Sequence, residues 1–213
     1  LWSARVLREN PALIKSAHAA FFAAGAQVAT AASYQVTFDV LGEEAEALLR
    51  RSVEVARGAV REVVDKRSAH PHLLVAASIG PYGAGPGKGT DYDGVYDLNR
   101  SELQRWHARR VTVLADTDAD FLLAETIPNV DEVAALLELL SDQPKPFALS
   151  ITGAIAADPV KLSRVVELAH HAPRLGALGV NCVSPSQALA VVKRLRAETD
   201  KPLLTCPTVS YTH

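Results

Sequence analysis

The stretch Leu175 to Gln187, LGALGVNCVSPSQ, carries the reading of the fold. An apolar run of strand length stops abruptly at Asn181 and Cys182. Ser184 then supplies a capping residue with Gln187 three positions on, the spacing that starts a helix. The run is continuous rather than alternating, the pattern of a parallel strand covered on both faces. Similar runs recur on either side: AQVATAASYQ (26–35), LLVAASIGP (73–81), DFLLAET (120–126), FALSIT (147–152) and PLLTCP (202–207).

Helical patterns lie between them. Asn10 caps a helix with Pro11 in its first position, an apolar face of Leu13, Ile14, Ala17, Phe21 and Ala24, and Gly25 as its stop. From Glu43 to Val64 the residues Leu48, Leu49, Val53, Ala56, Val60 and Val63 repeat at helical spacing. Further starts are expected at Ser101 (SELQ), at Asn129 (NVDE) and at Asp158 with Pro159. The chain thus alternates helix and strand with no linker, so residues 1–213 are expected to form one α/β domain. This pattern fits a doubly wound sheet or part of a closed barrel, and does not decide between them.

Composition narrows the function. Lys and Arg number 22 against 24 Asp and Glu, a formal charge of −2, so nothing is set up to neutralise phosphates and no nucleic-acid partner is expected. There is no apolar run of about 18 residues and no secretion signal, so no membrane partner is expected. Two cysteines make no disulfide framework, and a reducing, cytoplasmic location is expected.

In either architecture the site is built where strands end, so polar residues closing the apolar runs are the candidates. They are Ser33, Tyr34 and Gln35, then Ser78, Glu125 with Thr126, Asn181 with Cys182, and Cys206. A thiolate at a strand end is a good zinc ligand, although free cysteines also serve as small buried apolar residues. Glu125 could bind an ammonium group, act as a base, or merely add charge near the following helix start. GPYGAGPGKGTDYDGVYD (80–97) is not a phosphate loop: three residues separate Gly83 from Gly87, and Gly89 follows Lys88. A long loop over the site, acting as a lid, fits it better. Trp2 and Trp106 read as packing anchors, and the histidines of HPH (70–72) and HH (170–171) as surface residues opposite the site.

LWSARVLRENPALIKSAHAAFFAAGAQVATAASYQ, SIGPYGA with DYDGVYD, AETIPNVDE and LGVNCVSP together resemble the homocysteine S-methyltransferase family, in particular its branch that uses S-methylmethionine or S-adenosylmethionine. The resemblance implies a (β/α)8 TIM barrel, incomplete here, with strands two to seven visible and the first and eighth outside this sequence. It implies a zinc ion held by three cysteines, of which Cys182 in GVNC matches one. The Gly-Gly-Cys-Cys segment that carries the other two in the family does not occur in these 213 residues. It further implies that Glu125 binds the homocysteine amino group and that Asn181, Ser33 and Tyr34 line the pocket. The implied substrates are homocysteine and a sulfonium methyl donor. With one zinc cysteine of three, little methyl transfer is expected of this chain. A different reading is a non-catalytic barrel fragment or pseudoenzyme that binds a small amino acid or a protein partner. An aldolase-type barrel fits poorly, because no Lys ends a predicted strand to form a Schiff base.

Overall fold

A computed structural model describes residues 2–65, 72–85 and 90–208. His70, Lys88, the tail after Thr208 and the Trp2 side chain lie outside the described residues. In chain order the elements are α1 (Trp2–Glu9), α2 (Pro11–Ala23), β1 (Val28–Thr30), α3 (Phe38–Leu41), α4 (Glu44–Asp65), β2 (Leu74–Ile79) and a 3-10 turn at Tyr82–Ala84. There follow α5 (Arg100–Ala115), β3 (Phe121–Ile127), α6 (Val130–Ser141), β4 (Phe147–Ile151), α7 (Gly153–Ala156), α8 (Pro159–His170), β5 (Leu175–Asn181), α9 (Pro185–Glu198) and β6 (Leu203–Cys206).

The six strands pair in parallel in the order β1-β2-β3-β4-β5-β6. That order resolves what the pattern of helices and strands left open. A doubly wound sheet reverses direction at a switch point, whereas here each new strand is added on the same side of the last. The result is an α/β fold with a curled half-barrel of parallel strands.

Burial explains the continuous apolar runs. Every residue of β4 is buried, and Leu122, Leu149 and Leu178, on β3, β4 and β5, are fully enclosed between sheet neighbours and outer helices. Each such leucine contributes about 1.5–3 kcal/mol. The strands at the two ends of the sheet order are less protected: β1 buries only Ala29, and β6 buries none of its four residues fully. Sheet ends of this kind are the usual sites of strand pairing between chains.

Most helix starts fall where the caps predict. Asn10 accepts from the Leu13 N–H at 3.4 Å, Asp158 caps α8, and Ser184 with Gln187 forms a complete capping box. Two assignments need correction. The cap of α5 is Asn99, boxed with Glu102, and Ser101 lies inside the first turn. At α6 Asn129 accepts from the Asp131 and Glu132 N–H groups, yet the Glu132 carboxylate turns inward to other partners instead of closing the box. The expected face of α2 is also rotated. Phe22 is the buried aromatic, while Phe21 is 69% and Leu13 58% exposed, because α2 rests on α4 and turns Ile14, Ala19 and Phe22 towards the core. The α4 pattern holds: Leu48, Leu49, Val53, Ala56 and Val63 are buried. No described helix is long and apolar enough to cross a membrane.

Candidate active site at the strand ends

The C-terminal ends of the strands bring the expected residues together, and side-chain hydrogen bonds tie strand to strand. Ser33, just after β1, donates to the Ser78 carbonyl at 2.7 Å. The Ser78 hydroxyl in turn donates to Glu125 Oε1 at the end of β3. Burial raises the Glu125 carboxyl above the ordinary carboxylate range, with the Ser78 hydrogen bond opposing it. Glu125 therefore sits inside the mouth and not beside the next helix start. A carboxylate held there against its own desolvation is poised for a cationic partner.

Backbone geometry explains how Glu125 reaches that position. The β3–β4 register skips between Ala124 and Ile127, so Glu125 and Thr126 bulge out of the ladder. Bulges re-aim side chains next to sites. Thr126 takes the left-handed conformation at φ 63°, and Cys182 at the end of β5 does so at φ 55°. For a β-branched threonine this is a genuine outlier, of the sort stored at functional positions at a cost of about 1–3 kcal/mol.

Asn181 holds the two strained residues together. Its Oδ1 accepts from the Thr126 N–H at 3.0 Å and from the Ser150 hydroxyl at 2.7 Å. Its Nδ2 donates to Thr126 Oγ1 at 2.7 Å and to Cys182 Sγ at 3.3 Å. The amide is thus spent on three strands and presents Cys182 in fixed geometry.

Cys182 is half-buried at the mouth, and its backbone N–H donates to the Cys206 carbonyl at 3.0 Å. The Cys206 thiol, on the neighbouring strand end, is pushed up by partial burial and then by Cys182 and Glu125. Tyr34 faces the same space. Its hydroxyl is raised mainly by burial, against the effect of a hydrogen bond with Thr126. Tyr92, on the return limb of the 80–97 loop, is raised by burial and then by its neighbour Cys182. That limb is fastened to the barrel: Gly94 takes φ 66° against Pro128, and Asn129 Nδ2 donates to the Gly94 carbonyl at 2.9 Å.

A zinc ion needs three or four ligands in tetrahedral array. Among the described residues no three of His, Cys, Asp or Glu are grouped to hold a metal. Cys182 is a suitable thiolate and Cys206 lies on the adjacent strand end, but the described side chains do not make a zinc site by themselves.

Sequence reasoning missed a buried charged cluster behind the mouth. His107 and Arg110 on α5 and Glu132 on α6 are all fully or almost fully enclosed. His107 Nε2 lies 2.8 Å from Glu132 Oε1, and His107 Nδ1 lies 3.1 Å from Arg110 Nη2. A guanidinium only donates, so Nδ1 accepts and Nε2 carries the proton that goes to Glu132. The ring is neutral, in keeping with a pKa lowered by burial and by Arg110 against the pull of Glu132. A signal was present: Leu103, His107, Arg110 and Leu114 share one helical stripe, so two polar residues lie on a buried face. Trp106 is the packing anchor expected of it, edge-on to Tyr82 and His107. His170 and His171 are exposed at the other end of the fold, before β5.

Comparison with known proteins identifies the family. The family model for homocysteine S-methyltransferase matches residues 1–212. The chain is 39% identical to homocysteine S-methyltransferase of Escherichia coli over 97% of its own length and 70% of that protein. It is 36% identical to homocysteine S-methyltransferase YbgG of Bacillus subtilis, with the same two shares. The crystal structure of the homocysteine methyltransferase MmuM from Escherichia coli in its metallated form superposes with a TM-score of 0.92 at 38% identity, covering 99% of this chain and 76% of that one. Family model, sequence identity and superposition converge: the chain belongs to the homocysteine S-methyltransferase family and is an enzyme of that type.

Proposed function

We propose that the strand-end mouth binds homocysteine through its ammonium group on Glu125 and transfers a methyl group to its sulfur from a sulfonium donor, S-methylmethionine or S-adenosylmethionine. The observation that carries this is the Glu125 carboxylate, bulged into a partly buried mouth that Cys182 also faces. The names of the relatives, which include a selenocysteine Se-methyltransferase of Brassica oleracea, support an acceptor of the thiol or selenol amino-acid class.

In the reaction the acceptor S–H loses its proton to solvent, the sulfur lone pair attacks the donor methyl, and the donor S–CH3 bond breaks. The leaving group is a neutral thioether and needs no protonation, so the chain's task is to align sulfur, methyl and leaving group. Ser78 orients Glu125, Ser33 and Tyr34 form the wall on the β1 side, and Asn181 fixes the Cys182 side. Cys182 is our candidate for one thiolate ligand of a zinc ion; that the relative MmuM has a metallated form supports a metal in this family, and a thiolate at a strand end suits zinc. The described residues do not complete such a site, and no step here runs through it. We read residues 1–213 as one barrel domain whose six strands correspond to strands two to seven of eight, acting in the cytoplasm. With the zinc ligand set incomplete, methyl transfer by the 213-residue chain is weak.

Calorimetric titration with homocysteine tests the binding half of this proposal. Glu125→Gln is expected to weaken binding about tenfold to a hundredfold, the loss of one charge-assisted hydrogen bond. Unchanged affinity would remove Glu125 from the site. The same variant is expected to gain stability at neutral pH. A carboxyl whose folded pKa lies above its unfolded value loses stability for the fold as pH rises through that interval, and the amide escapes this loss. Thermal unfolding at pH 4 and pH 7 checks the sign, since the advantage of the variant should fade at the lower pH.

Zinc content tests the other half. After dialysis against zinc and then buffer, the 213-residue chain is expected to retain well under one zinc per chain. Cys182→Ser should remove what is left. One tightly held ion per chain would show that other residues complete the site.

A further inference from the structure

We propose that Arg110, His107 and Glu132 are positioning residues: a buried triad that clamps the segment Gly80–Tyr82 and, through it, the amino-acid pocket. The inference rests on the homocysteine reading of the mouth, which it extends to residues that are not at strand ends.

The triad grips the segment from both sides. Arg110 Nη2 donates to the Gly80 carbonyl. Glu132 Oε1 accepts from the Tyr82 N–H at 2.5 Å while also accepting from His107. The neutral imidazole links cation to carboxylate, so neither buried charge stands alone. Tyr82 is further wedged edge-on between Tyr96 and Trp106, with ring centroids 5.1 and 5.2 Å away.

What the segment touches gives the clamp its role. Gly80 follows β2 two residues after Ser78, the partner of Glu125 and Ser33. Its backbone lies so near Tyr34 that an added Cβ would meet the Tyr34 carbonyl oxygen at 2.7 Å and the ring at 2.8 Å. Gly83 is pressed as closely on Thr90 and Asp91, immediately before Tyr92, where a Cβ would sit 2.5 Å from the Thr90 backbone. The clamped segment and Gly83, which follows it directly, therefore support the Tyr34 wall and the limb that brings Tyr92 to Cys182. A shift of even 1 Å in such a support loosens everything placed on it.

Amide hydrogen exchange and homocysteine titration on the 213-residue chain test this. His107→Leu removes both links and should speed exchange in residues 80–85 and 92–96 at least tenfold beyond any change in β4 and β5, and weaken homocysteine about tenfold. His107→Gln, which keeps a side-chain N–H for Glu132, should recover most of both. Should His107→Leu fail to fold, Arg110→Lys carries the same test, because both contacts are made by Nη2 at the tip of the guanidinium, and the shorter lysine side chain ends before that position. Exchange that rises equally across the sheet, or a loosened segment with unchanged homocysteine affinity, would overturn the proposal. If the unaltered chain binds no homocysteine, the substrate reading fails, and the exchange pattern still decides whether the triad holds the segment.

Discussion

Glu132→Ala is expected to cost about 3–5 kcal/mol of stability, enough to lower the midpoint of thermal unfolding by roughly 10 °C in a chain of this size. The substitution removes the anion from a fully enclosed site and leaves its partners in place. Burial already pushes Arg110 down to about 10, so at neutral pH it remains a cation and would stand uncompensated. His107 would lose its acceptor, and the Tyr82 N–H would lose the oxygen 2.5 Å away. The contrast with a concerted replacement is the stricter check. Arg110→Met combined with Glu132→Leu removes both charges and should cost less than Glu132→Ala alone, since a buried pair exchanged for apolar residues is often close to neutral. Urea unfolding of the three proteins gives the comparison. A Glu132→Ala loss below about 1 kcal/mol would mean that water reaches the cluster or that Arg110 finds another anion.

The second large effect is expected at Gly179, where β5 lies against β6. In register with Leu204, Gly179 approaches so closely that a Cβ would fall 1.9 Å from the Leu204 carbonyl oxygen and 2.6 Å from its side chain. A methyl group cannot share that space, so Gly179→Ala must push β6 away or break the Gly179–Leu204 pairing. The loss should sit at the top of the range for overpacking, about 3 kcal/mol. Because β6 has a single neighbour in the sheet order and is half-exposed, it should be displaced first, carrying Cys206 away from Cys182. Faster alkylation of Cys206 by a thiol reagent would report this before global unfolding does. Gly176→Ala on the same strand is the control: its added Cβ meets the Phe147 carbonyl at an ordinary 3.7 Å and should be nearly neutral.

The main lines of the fold were legible because local signals agreed with tertiary demands. Asn10, Asp158 and Ser184 cap helices as read, and the continuous apolar runs are parallel strands, of which β2 and β4 are buried along nearly their whole length. Winding order was not legible, since a helix-strand alternation is common to both architectures, and pairing is a long-range property. The α2 face was misjudged for a related reason. Alanines surround its aromatic residues, so spacing alone could not choose between Phe21 and Phe22, and the surface of α4 made the choice. Glu125, Asn181, Cys182, Ser33 and Tyr34 were visible as polar stops on apolar runs, and the structure brings them to one mouth. The triad was harder to see because polar residues on a helix are normally solvated. Only the coincidence of His107 and Arg110 with the Leu103–Leu114 stripe marks them as enclosed.

The sequential order of the sheet also bears on how the chain acquires its structure. Each strand pairs with the strand one crossover away, so every new ladder joins segments a few dozen residues apart, and none must wait for a distant partner. Loop closure is then modest at each step, which favours growth unit by unit. During synthesis, β2 can dock on β1 as soon as α4 has emerged, and β6 follows onto a surface already prepared by β5.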